Sequence, residues 1–204
     1  MGTPIFAGLT RNRAIEDRGL RSAISAGDGT IPTFAVLTSS DQGAEGKRDD
    51  IGGDAVVEMV TPLGFELSDR AMVPDERDVI SSRLAEWADA GVDLICTTGG
   101  TGVSPRDVTP EATGDVIDME IPGIAEAMRS HTFEITPMSL ISRARAGARG
   151  KTLIVNLPGN PKAVRETLEI ILPVLVHTVE VLQGRRGPHP VDVPADARPD
   201  ERKG

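Results

Sequence analysis

The sequence has 204 residues, of which 39% are hydrophobic, and this length and composition are typical of one globular domain with a sizeable core. Its formal net charge of −9 argues against nucleic acid as the main partner, because proteins that bind phosphate backbones need a basic surface. Aromatic residues make up 2% of the chain and tyrosine is absent, so platforms for stacking bases are scarce as well.

The single cysteine, Cys96, excludes an internal disulfide and is typical of a reducing compartment. It lies in an apolar run, so we interpret it as a small buried hydrophobic residue rather than a reactive thiol. No apolar stretch approaches membrane-spanning length, and no signal peptide opens the chain. We therefore expect a cytoplasmic protein with no membrane partner.

The first 32 residues have no clear core-forming pattern, and we interpret residues 1–32 as a poorly ordered or loosely docked extension. Residues 34–37 form a short apolar strand. A polar loop of turn residues follows this strand, with Ser40 and Asp41 at its start and Asp50 near its end. Taken alone, such a loop is a solvated surface feature.

Strand and helix patterns then alternate along the chain. Residues 54–61 predict a helix, residues 66–73 a second strand, residues 74–90 a second helix, and residues 92–96 a third strand. Asp75 falls at the N-cap of the second helix, and capping alone would explain it. Strands separated by helices predict an α/β fold, a three-layer sandwich with a mostly parallel central sheet and helices on both faces.

Residues 94–111 have the pattern of a strand, a glycine-rich loop and a helix. The Gly-Gly-Thr-Gly run at 99–102 allows positive φ and lets a ligand approach the main chain closely. Thr109 and Pro110 then predict an N-cap and a first helical residue. Loops at the carboxyl ends of strands bind ligands in open α/β sheets, and their free N–H groups suit phosphate oxygens. The run is not a P-loop, because no Gly-Lys-Ser/Thr follows, and Pro105 replaces the third glycine of a dinucleotide fingerprint.

The second half of the chain is less regular. Residues 109–117 predict a helix. Residues 118–136 are less clear, with a break indicated at Pro122 and a second set of helical turns indicated by Ile124, Met128 and Phe133. Residues 152–157 predict another strand.

A long apolar helix closes the domain. Asn160 is expected to cap it and Pro161 to begin it. Most of its faces are apolar, so it packs either deep in the core or against another subunit. We place the domain at residues 33–184 and interpret residues 185–204, rich in Pro, Asp, Arg and Gly, as a disordered tail.

Two strand-end loops, at 98–102 and 158–162, are expected to face one crevice. The first offers backbone N–H groups and hydroxyls, and the second offers a helix N-terminus and the cation of Lys162. Asp75 and Asp107 follow neighbouring strands in the same region. Carboxylates beside a phosphate site repel the ligand unless a cation lies between them. Because Mg²⁺ takes a few carboxylates together with substrate phosphates, the arrangement predicts a metal–nucleotide complex.

Two blocks of the sequence resemble the signatures of one protein family. The first is Gly-Gly-Thr-Gly followed by Ser-Pro-Arg-Asp-Val-Thr-Pro-Glu-Ala at 104–112. The second comprises Ser-Arg-Ala-x-Ala-Gly-x-Arg-Gly at 142–150 and Leu-Pro-Gly-Asn-Pro-Lys-Ala at 157–163. Together they resemble the molybdenum cofactor biosynthesis domain, and most of all its MogA/MoaB type, the molybdopterin adenylyltransferases.

The resemblance implies a reaction and its partners. In this family the terminal phosphate of molybdopterin attacks the α-phosphate of Mg-ATP, which gives adenylylated molybdopterin and pyrophosphate. ATP and molybdopterin are then the substrates, Mg²⁺ accompanies ATP, the protein is a homotrimer, and the molybdate-inserting enzyme of the pathway is a candidate partner.

The family's functional residues carry over to positions in both blocks and in the loop after the first strand. Asp75 and Asp107 would be the catalytic, metal-binding residues. The nucleotide phosphates would be held by Thr98, Gly99, Gly100, Thr101 and Gly102, and molybdopterin by Ser40, Asp41, Ser142, Gly159, Asn160 and Lys162.

Other functions stay open at the level of the sequence. A non-catalytic MoaB-like protein that binds molybdopterin or nucleotide, or a scaffold for partners in the pathway, would share these motifs. A molybdate-inserting enzyme of the MoeA type shares the domain but requires flanking domains, which a chain of this length is not expected to hold.

Overall fold

The computed structural model describes residues 30–184, which form a six-stranded sheet with helices packed on both of its faces. The tail at 185–204 and all but the last three residues of the extension at 1–32 lie outside the described residues. The strands are β1 Thr33–Ser39, β2 Glu66–Val73, β3 Leu94–Thr98, β4 Met119–Glu120, β5 Ala146–Arg149 and β6 Thr152–Leu157. The helices are α1 Asp41–Ala44, α2 Ile51–Val60, α3 Arg77–Asp89, α4 Thr109–Gly114, α5 Pro122–Phe133 and α6 Pro161–Leu182, with 3₁₀ turns at Thr61–Leu63 and Pro137–Ile141.

The strand order across the sheet is β2-β1-β3-β6-β5-β4. Strands β2, β1, β3 and β6 run parallel, β5 pairs antiparallel with β6, and β4 pairs antiparallel with β5. The predicted mostly parallel sheet is therefore confirmed. Its four parallel strands point their carboxyl ends at a common edge.

Alternate side chains of the central strands pack into two separate hydrophobic cores, one on each face of the sheet. In β1, Phe34 and Val36 pack with α2, α5 and α6, whereas Ala35 and Leu37 pack with α3 and α4 on the opposite face. This period of two is what a strand buried on both faces requires. Cys96 lies in the first core, where burial raises the pKa of its thiol to about 12, so it is a packing residue as predicted. The predicted three-layer sandwich is confirmed.

Most apolar residues of α6 are buried within its own domain, which favours the first of the two explanations for its apolar faces. Residues along its inner face, including Leu168 and Leu175, are fully buried, while Val174 and Val181 stay exposed. Over residues 30–184, no helix combines the length and hydropathy needed to cross a membrane.

The structure corrects the start of one helix, confirms a predicted break and adds a strand. Helix α2 begins at Ile51 rather than at residue 54, because the Asp50 side chain accepts a hydrogen bond from the Gly53 N–H and caps the helix there. The break predicted at Pro122 and the helical turns predicted after it are confirmed, since Pro122 starts α5 and the short strand β4 separates this helix from α4. Strand β5 was not predicted at all, because its sequence Ala-Gly-Ala-Arg lacks β-branched and aromatic residues.

Candidate active site

The site predicted from the sequence lies at the edge where the parallel strands end. Gly99, directly after β3, has a φ of +93°, and a Cβ added to it would stand 2.4 Å from the Ser39 carbonyl oxygen at the end of β1. A Cβ on Gly159, after β6, would stand 3.2 Å from the Cα of Gly99. The structure therefore brings the predicted loops at 98–102 and 158–162 into contact, as expected from adjacent parallel strands.

Buried hydrogen bonds fold the glycine run back onto the start of α4. Thr109 donates its hydroxyl to the Gly99 carbonyl at 2.9 Å and its N–H to the Gly100 carbonyl at 3.1 Å. Its predicted role as N-cap is wrong, since Val108 occupies the cap position and Thr109 is already helical. The hydroxyl instead fixes the shape of the loop.

The two threonines of the glycine loop are less available to a ligand than the sequence suggested. The Thr98 hydroxyl donates to the Pro158 carbonyl at 2.8 Å, which ties the two strand-end loops together. Thr101 is almost fully buried. An anion would therefore be bound mainly by backbone N–H groups of residues 98–102. The predicted contacts of the threonine hydroxyls with phosphates stay predictions.

Asp75 does not cap α3. Glu76 occupies that cap position without a side-chain hydrogen bond, so the N-cap interpretation is wrong. The Asp75 carboxylate instead accepts a hydrogen bond from the Ser39 hydroxyl at 2.5 Å and one from the Asp41 N–H at 3.1 Å. The Asp75 N–H donates to the Asp41 carboxylate at 3.0 Å in return. Asp75 is therefore anchored on the loop that follows β1.

Arg106 connects this loop to the far end of the glycine loop. Its guanidinium lies 2.6 Å and 3.2 Å from the two Asp41 carboxylate oxygens. The hydrogen bond from Arg106, followed by the one from the Asp75 N–H, holds the pKa of the Asp41 carboxyl below its usual value. Ser40 caps the short helix α1 through the Gly43 N–H.

Asp107 closes a turn at the end of the glycine loop. Its carboxylate accepts a hydrogen bond from the Ser104 N–H at 2.7 Å, and its own N–H donates to the Ser104 carbonyl at 2.9 Å. The strands that precede Asp75 and Asp107 are not neighbours, contrary to the prediction, because β1 lies between β2 and β3. The link between the two regions is the Asp41–Arg106 pair.

The residues assigned to molybdopterin surround the same edge. Ser142 is half-buried ahead of β5, and its hydroxyl accepts a long hydrogen bond of 3.4 Å from the Ala144 N–H. Gly159, Asn160 and Lys162 are exposed at the start of α6. The Lys162 ammonium lies 3.6 Å from Glu166, one helical turn away.

Asp50, near the end of the polar loop that follows β1, has a structural role. Besides capping α2, its carboxylate accepts a hydrogen bond from the Thr38 hydroxyl at 2.8 Å and pairs with Arg70 at 2.7 Å. These contacts fix the entry of α2. Gly52 then packs against the site, since a Cβ there would stand 3.0 Å from the Thr98 hydroxyl.

A buried polar network beneath the glycine loop was missed by the sequence analysis. The Asn156 amide is fully buried and donates to the hydroxyls of Thr97 at 3.0 Å and Thr113 at 2.8 Å. Its carbonyl oxygen accepts a hydrogen bond from the Arg145 N–H at 3.1 Å. A polar residue at the centre of an apolar strand was the available signal, because such a group must find partners once it is buried.

The predicted cap of α6 is confirmed and can be tested. The Asn160 side chain accepts a hydrogen bond from the Lys162 N–H at 2.9 Å. We expect Asn160→Ala to lower the free energy of unfolding by about 1 kcal/mol, whereas Asn160→Ser, which keeps a capping oxygen, should lose far less. Urea denaturation measures both values. Equal stability of the alanine and serine variants would show that the Asn160 side chain does not stabilise α6 by capping it.

Comparison with known proteins decides the family. The family described as "Probable molybdopterin binding domain" matches residues 35–177. The chain belongs to this family.

Relatives within the family are close in sequence and in structure. The molybdopterin adenylyltransferase of Helicobacter pylori is 41% identical over 157 residues, which cover 74% of this chain and 88% of the relative. The molybdopterin adenylyltransferase of Escherichia coli is also 41% identical, over 140 residues that cover 67% of this chain and 71% of the relative. The crystal structure of the molybdopterin biosynthesis enzyme MoaB from Thermus thermophilus matches with a TM-score of 0.71 and 47% identity, covering 76% of this chain and 98% of that one. The MogA/MoaB-type resemblance is therefore confirmed.

Proposed function

We propose that the protein is a molybdopterin adenylyltransferase, which transfers AMP from Mg-ATP to the terminal phosphate of molybdopterin and releases pyrophosphate. The observation that carries the proposal is the meeting of two motif loops at one sheet edge, where Gly159 approaches the Cα of Gly99. The relatives named for this activity in Helicobacter pylori and Escherichia coli support it.

The chain contributes positioning and charge to this transfer. The N–H groups of residues 98–102 and the N-terminus of α6 favour phosphate oxygens at the edge of the sheet. An oxygen of the terminal phosphate of molybdopterin forms a bond to the α-phosphorus of ATP. The bond from that phosphorus to the oxygen bridging to the β-phosphate breaks, and pyrophosphate leaves with the electron pair. Holding the two anions in line is the main requirement of such a reaction.

Asp75 and Asp107 are the residues that would hold Mg²⁺ with the nucleotide. Both are half-buried carboxylates, and hard oxygen donors of this kind suit the ion. Among residues 30–184, no group of three or more His, Cys, Asp or Glu side chains is placed to hold a metal alone. In this proposal the ion completes its shell with phosphate oxygens and water, so it needs few protein ligands. When bound, Mg²⁺ supplies neutralisation of the negative charge on the phosphates.

In this proposal molybdopterin binds at the same edge of the sheet, beside the start of α6. Gly159, Asn160 and Lys162 offer a helix N-terminus and an exposed cation for its phosphate, and Ser142 offers a hydroxyl. Ser40 and Asp41 border the same edge from the loop after β1. The product would pass to the molybdate-inserting enzyme of the pathway, in the cytoplasm.

The test of the proposal is release of pyrophosphate. Incubating the protein with Mg-ATP and molybdopterin should give pyrophosphate and adenylylated molybdopterin in equal amounts, and omitting either substrate should abolish both. Binding of both substrates without pyrophosphate would make the protein a non-catalytic MoaB-like member of the family.

We also propose a homotrimer. Five large apolar side chains lie exposed within nine residues, at Phe133, Ile135, Met138, Leu140 and Ile141, and such a concentration of exposed apolar side chains favours association. Light scattering at micromolar concentration should give three times the chain mass of 21.6 kDa. A monomer mass would contradict the proposal.

A further inference from the structure

Arg143 contacts the glycine loop and the start of α4 at four points. Its Nε donates to the Gly102 carbonyl at 2.6 Å, its Nη2 donates to the Asp107 carbonyl at 2.5 Å, and its Nη1 pairs with the Glu111 carboxylate. Its backbone N–H donates to the Thr101 carbonyl at 2.9 Å. Arg143, which lies just before β5, therefore holds both ends of the segment 101–107.

We propose that Arg143 is a positioning residue that holds the glycine loop in the shape that binds the nucleotide. The inference rests on the proposed function, in which this loop carries the ATP phosphates.

Besides Arg143, the side-chain link from residues 103–106 to the rest of the protein is the exposed pair of Arg106 with Asp41. Residues 103–106 are exposed, and the bonds within the segment join Ser104 to Asp107 and to its neighbour Arg106. Loops of this kind open easily, because few buried contacts oppose their opening. Fixing the carbonyls of Gly102 and Asp107 to one cation restrains the loop where it leaves the sheet and where it enters α4.

The contacts need the fork of a guanidinium rather than a positive charge alone. Arginine presents several N–H donors in a rigid plane, so it can reach two carbonyls and a carboxylate at once, whereas a lysine ammonium is a single point donor. The arginine also satisfies two carbonyl oxygens whose partial negative charges disfavour a nearby phosphate. Glu111 offsets the charge of the guanidinium, so the net effect of the group is on geometry.

Arg149 provides a matched control. It lies at the opposite end of β5, where its guanidinium pairs with both carboxylate oxygens of Asp89 and donates to the Val116 carbonyl at 3.2 Å. Its side chain is 30% exposed, against 37% for Arg143. A variant at Arg149 therefore removes a comparable set of contacts on the edge of the sheet away from the site.

The kinetic test uses the full chain with Arg143→Met, Arg143→Lys and Arg149→Met. We expect the KM for ATP to rise about tenfold in both Arg143 variants, which corresponds to about 1.4 kcal/mol, and the KM for molybdopterin to rise much less. Arg149→Met should leave both KM values unchanged. Wild-type kinetics in Arg143→Lys would overturn the inference, since charge alone would then suffice. An equal rise of the ATP KM in Arg149→Met would also overturn it.

Hydrogen exchange separates this inference from the proposed function. Without ligand, the amides of residues 101–107 should exchange faster in both Arg143 variants than in wild-type protein or Arg149→Met, and unchanged exchange would overturn the inference alone. In wild-type protein, Mg-ATP should slow the exchange of residues 98–107. If it does not, the nucleotide assignment of the loop fails and the inference fails with it, even where pyrophosphate release shows that the enzyme is active.

Discussion

We expect adenylyl transfer to fall by about 10²-fold or more when Asp75 or Asp107 is replaced by asparagine, which corresponds to about 2.7 kcal/mol of activation free energy. Each substitution removes one negative charge from the carboxylates that would hold Mg²⁺ against ATP, while it keeps the size of the side chain. Steady-state kinetics with saturating molybdopterin measure the effect on kcat and on the KM for ATP.

The fold should tolerate both changes. In Asp107→Asn the oxygen of the new side-chain amide can still accept the Ser104 N–H, so stability should stay within about ±0.5 kcal/mol of wild type. Asp75→Asn keeps one acceptor oxygen for two donors, Ser39 and Asp41, so we expect a loss of about 1 kcal/mol.

A surface carboxylate distinguishes the metal role from a general effect of charge. Asp89 pairs with Arg149 away from the site, and Asp89→Asn should leave the rate of transfer unchanged. Folded Asp75→Asn and Asp107→Asn proteins that both turn over at wild-type rates would leave the two aspartates with structural roles only.

Gly99→Ala is expected to be the most damaging single substitution in the glycine loop. Its φ of +93° disfavours any side chain, and the new Cβ would stand 2.4 Å from a backbone oxygen of Ser39, which cannot move without shifting β1. Positive φ costs about 1–2 kcal/mol and overpacking about 1–3 kcal/mol, so the free energy of unfolding should fall by about 3 kcal/mol. Urea denaturation measures the loss.

Gly91→Ala is the matched control for that prediction. Gly91 has a φ of +87°, yet nothing lies within 4 Å of an added Cβ. It therefore isolates the cost of the backbone conformation, about 1–2 kcal/mol. If Gly99→Ala costs no more than Gly91→Ala, the close packing of the loop against β1 is not a constraint on the site.

The strands β1, β3 and β6 were predictable because they are buried on both faces. The apolar runs around Val36, Ile95 and Ile154 predict strands from composition alone, and the helices between them dictate a parallel arrangement. The antiparallel edge was not predictable in this way. Strand β5 consists of small residues and an arginine, and β4 has two exposed residues, so neither carries a hydrophobic pattern.

The motifs located the candidate site, but its internal contacts depend on residues far apart in the chain. Arg106 pairs with Asp41 across 65 positions, and Arg143 reaches Asp107 across 36. Local patterns carry no information about such pairs. The same limit explains why Asp75 resembled a helix cap, since the Ser39 hydroxyl that binds it lies 36 positions earlier.

The most direct test of the account is a crystal structure of the protein with Mg²⁺ and a non-hydrolysable ATP analogue. We expect the triphosphate to contact the backbone of residues 98–102, with the metal ion bound by Asp75 and Asp107. A triphosphate bound elsewhere, such as the cleft of about 490 Å³ beside Arg129 and Phe133, or a metal ion with neither aspartate among its ligands, would contradict it.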